Sequence, residues 1–282
     1  MHLVLRGLIY LLSLIDLRIL YFLSDIIAFV LKHFIQYRKK IILENLYRSF
    51  PEKNENEIEQ IAAAFYTNLS DLIVETIKMV SISKSELTRR CRFTNPEILN
   101  NYYDSQKSLI AVCGHFNNWE LGGLALSAIA PHKVLGIYKP LTSSSWDGYF
   151  KKIRSRFGMH LVPMKSTTRE VVKHKNLPTI TTLIADQTPH RSEINYRTIF
   201  LNQDTAVFLG AEKLAKLTGY PVIYFSMHRI RRGYYEITIL PVTENPVEET
   251  DYVITRKHLS LLENDIRQQP ANWLWSHRRW KY

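Results

Sequence analysis

Residues 108–120 constrain the fold of this chain more than any other part of the sequence. The first part, residues 109–113, is a short apolar run with β-branched members, which predicts a buried strand. A glycine ends that run, and Asn117 and Asn118 are favourable N-cap residues for the apolar helix predicted beyond them. The pattern therefore predicts a strand, a tight turn and a helix, with His115 in the turn.

His115 and Glu120 are the candidate catalytic pair of this stretch. On one continuous helix, side chains five residues apart would point roughly 140° away from each other. The two can meet only if His115 precedes the helix and Glu120 lies in its first turn. A neutral histidine near a helix N-terminus can act as a general base, and a carboxylate on its other ring nitrogen would stabilise the imidazolium. Structural roles for both residues are the alternative. A zinc site is disfavoured, because the sequence has neither His-Glu-x-x-His nor a cysteine pair with ligand spacing.

The composition of the chain favours anionic partners. Its 282 residues include 37 Lys and Arg against 26 Asp and Glu, which gives a net charge of +11. Such a balance suits anionic lipid surfaces, acidic carrier proteins, phosphorylated substrates or nucleic acid. The length allows one large core, or a core with an anchor segment. The only two cysteines, Cys91 and Cys113, argue against a disulfide scaffold.

Residues 1–37 are predicted to form a helical segment that lies in, or dips into, a membrane. This segment is apolar and rich in aromatic residues, but Asp16 and Arg18 would fall near the middle of a single spanning helix. Two shorter amphipathic helices with a break near residues 15–18 avoid that cost. The basic cluster at residues 37–40 is typical of an anionic cytoplasmic leaflet. A pair of buried core helices is the alternative.

Alternating strand and helix patterns predict an α/β fold with a mixed central sheet flanked by helices. The strand candidates after the central stretch are residues 134–137, 161–163, 179–185, 221–226 and 234–240, with an edge strand near 91–93. The accompanying helix candidates are residues 146–157, 168–174, 212–218 and 252–268. Arg231-Arg232-Gly233 predicts a hairpin turn between the last two strands. Asp186 directly follows a buried strand, at the edge where α/β proteins place ligands, although a structural turn residue is equally compatible.

Several short motifs follow one another along the chain in an informative order. The four chemistry-bearing motifs are Gly114-His115-Phe116-x-x-x-Glu120, Arg154-Ser155-Arg156, Asp186-Gln187 and His277-Arg278-Arg279. Two further segments are Asn45-Leu46 with Phe50-Pro51, and Leu214-Ala215-x-x-Thr218-Gly219-x-Pro221-Val222. In sequence, order and spacing, this set resembles the late lipid A biosynthesis acyltransferases, a branch of the glycerolipid acyltransferase superfamily. The matches run from about residue 38 to 281, so residues 38–282 are expected to form the acyltransferase domain.

The resemblance implies an inner-membrane enzyme of a Gram-negative bacterium that faces the cytoplasm and has a glycerolipid acyltransferase-like fold. It would move a fatty acyl group from a thioester of acyl carrier protein to a hydroxyl of a lipid A precursor. His115 would be the general base and Glu120 its orienting partner, with no metal or other cofactor. The run Thr188-Pro189-His190-Arg191 departs from the family's usual glycine-containing stretch, which leaves the acceptor and the acyl length open. A lysophospholipid or lipid-amine acceptor is the alternative, and a non-enzymatic basic peripheral membrane protein is a weaker one.

The same resemblance suggests substrate-binding roles for the basic motifs and for Asp186. The first arginine of the family's Arg-x-Arg motif is functional, which points to Arg154, with Arg156 beside it. A guanidinium there could bind a phosphate or phosphopantetheine, or steady an oxyanion, and a solvated basic helix face is the alternative. Arg278 and Arg279 lie in an aromatic-rich tail. They are expected to serve a membrane interface or a lipid headgroup phosphate rather than nucleic acid.

Overall fold

The computed structural model describes residues 2–281, with side chains from residue 4 onward; Met1 and Tyr282, the last residue of the aromatic tail, lie outside the described residues. Its helices are α1 (His2–Leu14), α2 (Leu17–His33), α3 (Lys39–Ser49), α4 (Glu55–Lys78), α5 (Lys84–Arg90), α6 (Glu97–Asp104), α7 (Trp119–Ile129), α8 (Ser144–Arg154), α9 (Thr167–Lys173), α10 (Gly210–Thr218) and α11 (Val253–Gln268). Its strands are β1 (Cys91–Phe93), β2 (Leu109–Cys113), β3 (Lys133–Tyr138), β4 (His160–Pro163), β5 (Thr179–Ile184), β6 (Arg197–Phe200), β7 (Gln203–Ala206), β8 (Val222–Arg231) and β9 (Tyr234–Thr243). Short 3₁₀ helices cover Met164–Ser166, Arg191–Glu193 and Pro270–Asn272.

The main sheet has seven strands in the order β1-β9-β8-β2-β5-β3-β4. β2 is parallel to both of its neighbours, β5 and β8, whereas β8 and β9 are antiparallel and joined by the predicted hairpin turn. Gly233 adopts a φ of 73° in that turn, a conformation that glycine reaches without steric cost. The predicted α/β class with a mixed central sheet is thus confirmed. The separate hairpin of β6 and β7 was not predicted.

The central strand β2 is buried on both faces, which explains its uninterrupted apolar sequence. Ile110 and Val112 belong to a core that α11 covers. Leu109 and Ala111 belong to the core on the opposite face, which α7 covers. The carboxyl end of β2 therefore lies between two layers of helices, which is where open α/β sheets form their ligand sites.

The N-terminal segment consists of two helices instead of one. They meet at residues 15–16, where the carboxylate of Asp16 accepts a hydrogen bond from the backbone N–H of Arg18 at 2.7 Å and caps α2. The predicted break is therefore confirmed. Across residues 2–281, the structure contains no helix with the length and apolar character needed to cross a membrane.

The inner side of α2 is docked on α4 by polar contacts. Ser24 donates a hydrogen bond to Asp71 at 2.6 Å, and the Tyr21 hydroxyl donates to Glu75 at 2.7 Å. Arg232, in the β8–β9 turn, donates to Asp71 from the other side. The outer side carries exposed apolar residues, namely Ile19, Phe22, Leu23, Ile26 and Phe29. One face of α2 thus belongs to the core, and the opposite face presents apolar surface.

Candidate active site

Two neighbouring strands bring the candidate base and a carboxylate together. β2 and β5 are parallel, and Cys113 is aligned with Ile184 at their carboxyl ends. His115 and Asp186 each follow two residues later, so the register places them opposite each other. The His115 Nδ1 atom lies 2.6 Å from Asp186 Oδ1, and the His115 backbone N–H donates to Asp186 Oδ2 at 2.8 Å. The sheet therefore builds the pair that a general base requires.

Asp186 is held as a carboxylate in a buried position. It is 2% exposed, and besides His115 it accepts a hydrogen bond from the indole Nε1–H of Trp273 at 2.7 Å. Burial alone would raise the pKa of Asp186. The charge of His115 and the hydrogen bonds from His115 and Trp273 outweigh it and lower the pKa to about 2. The Asp186 carboxylate is consequently ionised at neutral pH.

Gly114 lets the loop pass close to α11. A Cβ at this position would lie 2.7 Å from Leu262 Cδ1 and 3.3 Å from Asp186 Oδ2. A side chain at this position would therefore require the buried side chain of Leu262 to move. The glycine between strand and histidine is thus a packing requirement of the site.

The second ring nitrogen of His115 faces the open side of the site. Because Nδ1 bonds the Asp186 carboxylate, we assign the proton to Nδ1 and the lone pair to Nε2. The amide nitrogen of Gln187 lies 3.2 Å from Nε2, and the ring of Trp119 packs edge-on at 4.9 Å between centroids. The His115 side chain is 17% exposed. A hydroxyl that displaces the Gln187 amide can reach Nε2.

The start of α7 is fixed by a buried polar network. Asn118 caps the helix, as predicted, with its side-chain oxygen accepting from the backbone N–H of Leu121 at 2.9 Å. Its amide donates to Glu75 at 2.5 Å, and the hydroxyl groups of Tyr21 and Tyr235 donate to the same carboxylate. Burial raises the pKa of Glu75. This network connects α2 and α4 to the helix that follows His115.

Glu120 does not hold His115, which corrects the pairing expected from the sequence. It binds Arg154 at the end of α8 instead: Arg154 Nε donates to Oε2 at 2.8 Å, and Nη2 donates to Oε1. The physical reason is the sheet register, since the Nδ1 side of His115 is occupied by Asp186 from the adjacent strand. Glu120 and Arg154 form a two-point ion pair whose side chains are 17% and 28% exposed.

The other predicted cations have different surroundings. Arg156 donates to the backbone carbonyls of Met79 and Ile82, just after α4. Arg278 is exposed. Arg279 is 1% exposed and donates to the carbonyl of Ala206 at 2.7 Å; burial lowers its pKa to about 10. The structure therefore brings His115, Asp186, Glu120 and Arg154 to the carboxyl side of the sheet, while Arg156 and Arg279 tie backbone segments together.

A crevice opens beside the histidine, between α4, the start of α7 and the tail. It is lined by Phe65, Leu69, Leu72, Trp119, Trp273 and Leu274, among others. Polar side chains line it as well, namely Asn68, Asn117, Arg229, Tyr235 and Asn272. In residues 2–281, no group of three or more His, Cys, Asp or Glu side chains is arranged to hold a metal ion.

The sequence analysis did not assign Trp273 and Glu75 to the site. Trp273 begins the aromatic tail, but nothing local connects it to Asp186, which lies 87 residues earlier. Glu75 lies in α4, and a charged residue on a helix is usually exposed to solvent. The available signals were the density of aromatic residues in the tail and the acidic residues Asp71 and Glu75 among the apolar positions of that helix.

Comparisons with known proteins identify the family of this chain. The family described as bacterial lipid A biosynthesis acyltransferase matches residues 2–282. The chain is 23% identical over 266 residues to the lipid A biosynthesis palmitoleoyltransferase of Escherichia coli (strain K12), covering 93% of this chain and 85% of that protein. The figures are the same for a lipid A biosynthesis acyltransferase of Shigella flexneri. The lipid A biosynthesis lauroyltransferase of Escherichia coli (strain K12) is 21% identical over 250 residues, covering 88% of this chain and 80% of that protein. The chain is an acyltransferase and belongs to the bacterial lipid A biosynthesis acyltransferase family.

Proposed function

We propose that this enzyme transfers a fatty acyl group from a thioester of acyl carrier protein to a hydroxyl group of a lipid A precursor. The observation that carries the proposal is the contact between His115 and Asp186, at the ends of two parallel strands in a chain of this family. This contact supports general-base catalysis, because the carboxylate engages Nδ1 and leaves Nε2 for the acceptor hydroxyl.

The proposed reaction is a direct transfer in which His115 moves one proton. The acceptor hydroxyl takes the place of the Gln187 amide beside Nε2. Its proton passes to Nε2 as its oxygen attacks the thioester carbonyl carbon, so a C–O bond forms. Asp186 stabilises the resulting imidazolium. The tetrahedral intermediate then collapses, the C–S bond breaks, and the proton on Nε2 passes to the departing thiolate.

Glu120 acts on Arg154 in this proposal, and not on His115. The ion pair uses Nε and Nη2 of Arg154, which leaves Nη1 for an anionic group of the substrates. The candidates are a phosphate of the lipid acceptor, the phosphopantetheine of the donor and the oxyanion of the intermediate. The exposed side chain of Arg278 would bind a headgroup phosphate at the membrane surface.

The N-terminal segment, residues 1–37, is proposed to lie on the cytoplasmic face of the inner membrane. The support is the apolar outer side of α1 and α2, followed by the basic cluster Arg38-Lys39-Lys40. On α1 the exposed apolar residues are Val4, Leu5, Leu8, Leu11 and Leu14. Residues 38–282 would form the acyltransferase domain, which draws its lipid acceptor from that surface.

Acyl transfer by the purified enzyme tests the proposed mechanism. We expect His115→Ala to lower the rate about 10²–10⁴-fold, the usual contribution of a general base. His160→Ala is the matched control, because His160 is 46% exposed at the start of edge strand β4, away from the carboxyl ends of β2 and β5. Near-normal turnover of His115→Ala at saturating donor would contradict the mechanism.

The substrates are tested by competition between donors and between acceptors. Acyl carrier protein and coenzyme A thioesters are compared with a lipid A precursor as acceptor, and the acceptor is then replaced by a lysophospholipid or a lipid amine. We expect the carrier-protein thioester and the lipid A precursor to give the highest kcat/KM. In cells without the gene, mass spectrometry should show lipid A that lacks one acyl chain. Faster transfer to a lysophospholipid would replace the proposed acceptor.

A further inference from the structure

The C-terminal segment reaches into the site through one side chain, Trp273. This residue follows the 3₁₀ helix Pro270–Asn272, is 3% exposed, and pairs with Phe116 in an isolated antiparallel bridge beside the catalytic loop. One residue earlier, the carbonyl of Asn272 accepts from the backbone N–H of Asn117 at 2.9 Å. The segment is therefore bound to the loop of His115 by a β-bridge and by a backbone hydrogen bond.

The indole of Trp273 and the backbone of His115 both donate to the same oxygen of Asp186. Oδ2 accepts two hydrogen bonds, from the His115 backbone N–H at 2.8 Å and from Trp273 Nε1 at 2.7 Å. Oδ1 is then left to bond His115 Nδ1 at 2.6 Å. An indole nitrogen is a donor only and carries no titrating proton in the working range. It can therefore hold one carboxylate oxygen without competing for the proton in transit.

Trp273 is itself held rigidly by other aromatic residues. Its ring makes edge contacts with Phe200 at 5.8 Å, Trp275 at 4.8 Å and Trp280 at 5.9 Å between centroids. Aromatic packing of this kind restricts rotation of the indole ring and so fixes the direction of its N–H group. The donor is thus placed before the substrate arrives, which is the condition for effective preorganisation.

We propose that Trp273 is a positioning residue of the acyl transfer: its indole N–H holds Asp186 so that Oδ1 faces Nδ1 of His115 and stabilises the imidazolium. The inference rests on the proposed function of the His115–Asp186 pair. It gives the C-terminal segment a role in catalysis in addition to its role in the hydrophobic core.

Several titratable groups surround Asp186. They are His115 and Cys113 at the end of β2, Tyr224 on β8, His258 on α11, and His277 and Arg279 in the tail. Burial lowers the pKa of both His258 and His277 to about 4, raises that of Cys113 to about 12, and lowers that of Arg279 to about 10. Burial also raises the pKa of Tyr224 well above its usual value. Between about pH 5 and 9, Cys113, Tyr224, His258, His277 and Arg279 are therefore not expected to change their protonation.

The test compares Trp273→Phe with Trp275→Phe. Both changes remove a buried indole N–H, but that of Trp275 donates to the carbonyl of Pro270 at 2.6 Å and not to the carboxylate. Phenylalanine at position 275 keeps an aromatic ring against Trp273, so the packing that supports Trp273 is retained. We expect similar thermal destabilisation in the two variants. Only Trp273→Phe should lower kcat/KM, by roughly 10- to 100-fold, the value of a hydrogen bond to a charged group. The same change in an Asp186→Asn background should cost little more.

The pH profile separates positioning from packing. Without the indole donor the Asp186 carboxylate is less stabilised and more basic, so the His115–Asp186 pair takes up its proton at higher pH. We expect the acid limb of kcat/KM to move to higher pH in Trp273→Phe and to stay in place in Trp275→Phe. Equal losses and unshifted limbs in both variants would overturn the proposal.

A readout without acyl transfer separates this inference from the proposed function. The rate at which diethyl pyrocarbonate modifies His115, followed by peptide mass spectrometry against pH, depends on the fraction of unprotonated imidazole. We expect the midpoint of that profile to move to higher pH in Trp273→Phe and not in Trp275→Phe. If the wild-type chain modified no acceptor but the midpoint moved, the proposed function would be wrong and the role of Trp273 would stand. An unmoved midpoint in an active enzyme would remove the role of Trp273 alone.

Discussion

At the scale of single residues, two carboxylates near one histidine have different partners. Asp186 bonds the ring and the backbone of His115, and Glu120 binds both the Nε and the Nη2 of Arg154. The two carboxylates also differ in solvent exposure: Asp186 is almost fully buried, whereas Glu120 is partly accessible to solvent. A buried carboxylate suits the stabilisation of an imidazolium, and a partly open ion pair suits the binding of an anionic substrate.

Replacing each carboxylate by its amide separates the two tasks. We expect Asp186→Asn to lower kcat by about 10²–10⁴-fold with little change in KM, because an amide neither fixes the Nδ1–H tautomer nor stabilises the imidazolium. Glu120→Gln keeps the shape but releases Arg154 from its ion pair, so its main effect should be a higher KM for the anionic substrate. Steady-state kinetics of the two variants decide between the assignments. A severe loss of kcat at unchanged KM in Glu120→Gln alone would restore the pairing expected from the sequence.

The sequence could supply the residues of the site but not their pairing. His115, Glu120, Arg154 and Asp186 are recognisable from motifs because each lies beside a local signal such as a strand end or a helix start. The contact of His115 with Asp186 depends on β2 and β5 being neighbours with a particular register. Strand adjacency is a long-range property, so a carboxylate five residues away was the natural choice, whereas the structure places Asp186 of the adjacent strand against the ring.

At the scale of elements, α2 has two faces with opposite properties. Its inner face donates to Asp71 and Glu75 of α4, and Glu75 in turn accepts from the cap of α7. Its outer face is apolar and exposed, with Phe22 at 66% and Phe29 at 56%. The amphipathic pattern could be predicted from the sequence. The hydrogen bonds that connect this helix to the start of α7 could not, because both partners are far apart along the chain.

Charges placed on the outer face of α2 should prevent membrane binding while leaving the core unchanged. We expect Phe22→Glu combined with Phe29→Glu to reduce co-sedimentation with anionic phospholipid vesicles strongly, since apolar burial and the attraction to anionic headgroups are both weakened. Activity on a water-soluble acceptor analogue and the thermal midpoint should change little. Ile199→Glu is the matched control, as Ile199 is 68% exposed on the β6–β7 hairpin. If the double variant bound vesicles as well as the control, another surface would be the membrane anchor.

At the scale of the whole molecule, α3 and the residue before it close against the C-terminal segment that carries Trp273. Arg38 donates to the carbonyl of Ser276, and the side-chain amide of Asn45 donates to the carbonyls of Trp275 and His277 at 2.9 and 3.0 Å. The same tail holds Asp186 through Trp273. The matches of the Asn-Leu and His-Arg-Arg motifs to the family were visible in the sequence. Their mutual contact was not, because more than 200 residues separate them.

Replacing Asn45 tests the contact between α3 and the tail. This residue is only 8% exposed, and its side-chain amide donates hydrogen bonds to two backbone carbonyls of the tail. We expect Asn45→Ala to lower the free energy of unfolding by about 1–3 kcal/mol, the cost of leaving buried polar groups without partners. Loosening the tail should also displace Trp273 and reduce kcat/KM, although Asn45 itself has no contact with His115 among the described residues. Thermal unfolding, kinetics and limited proteolysis of the tail measure the three effects, with Asn100→Ala on the exposed side of α6 as the control. If Asn45→Ala kept its stability but lost activity, the residue would act on substrate directly; if it lost neither, the tail would be held by its aromatic packing alone.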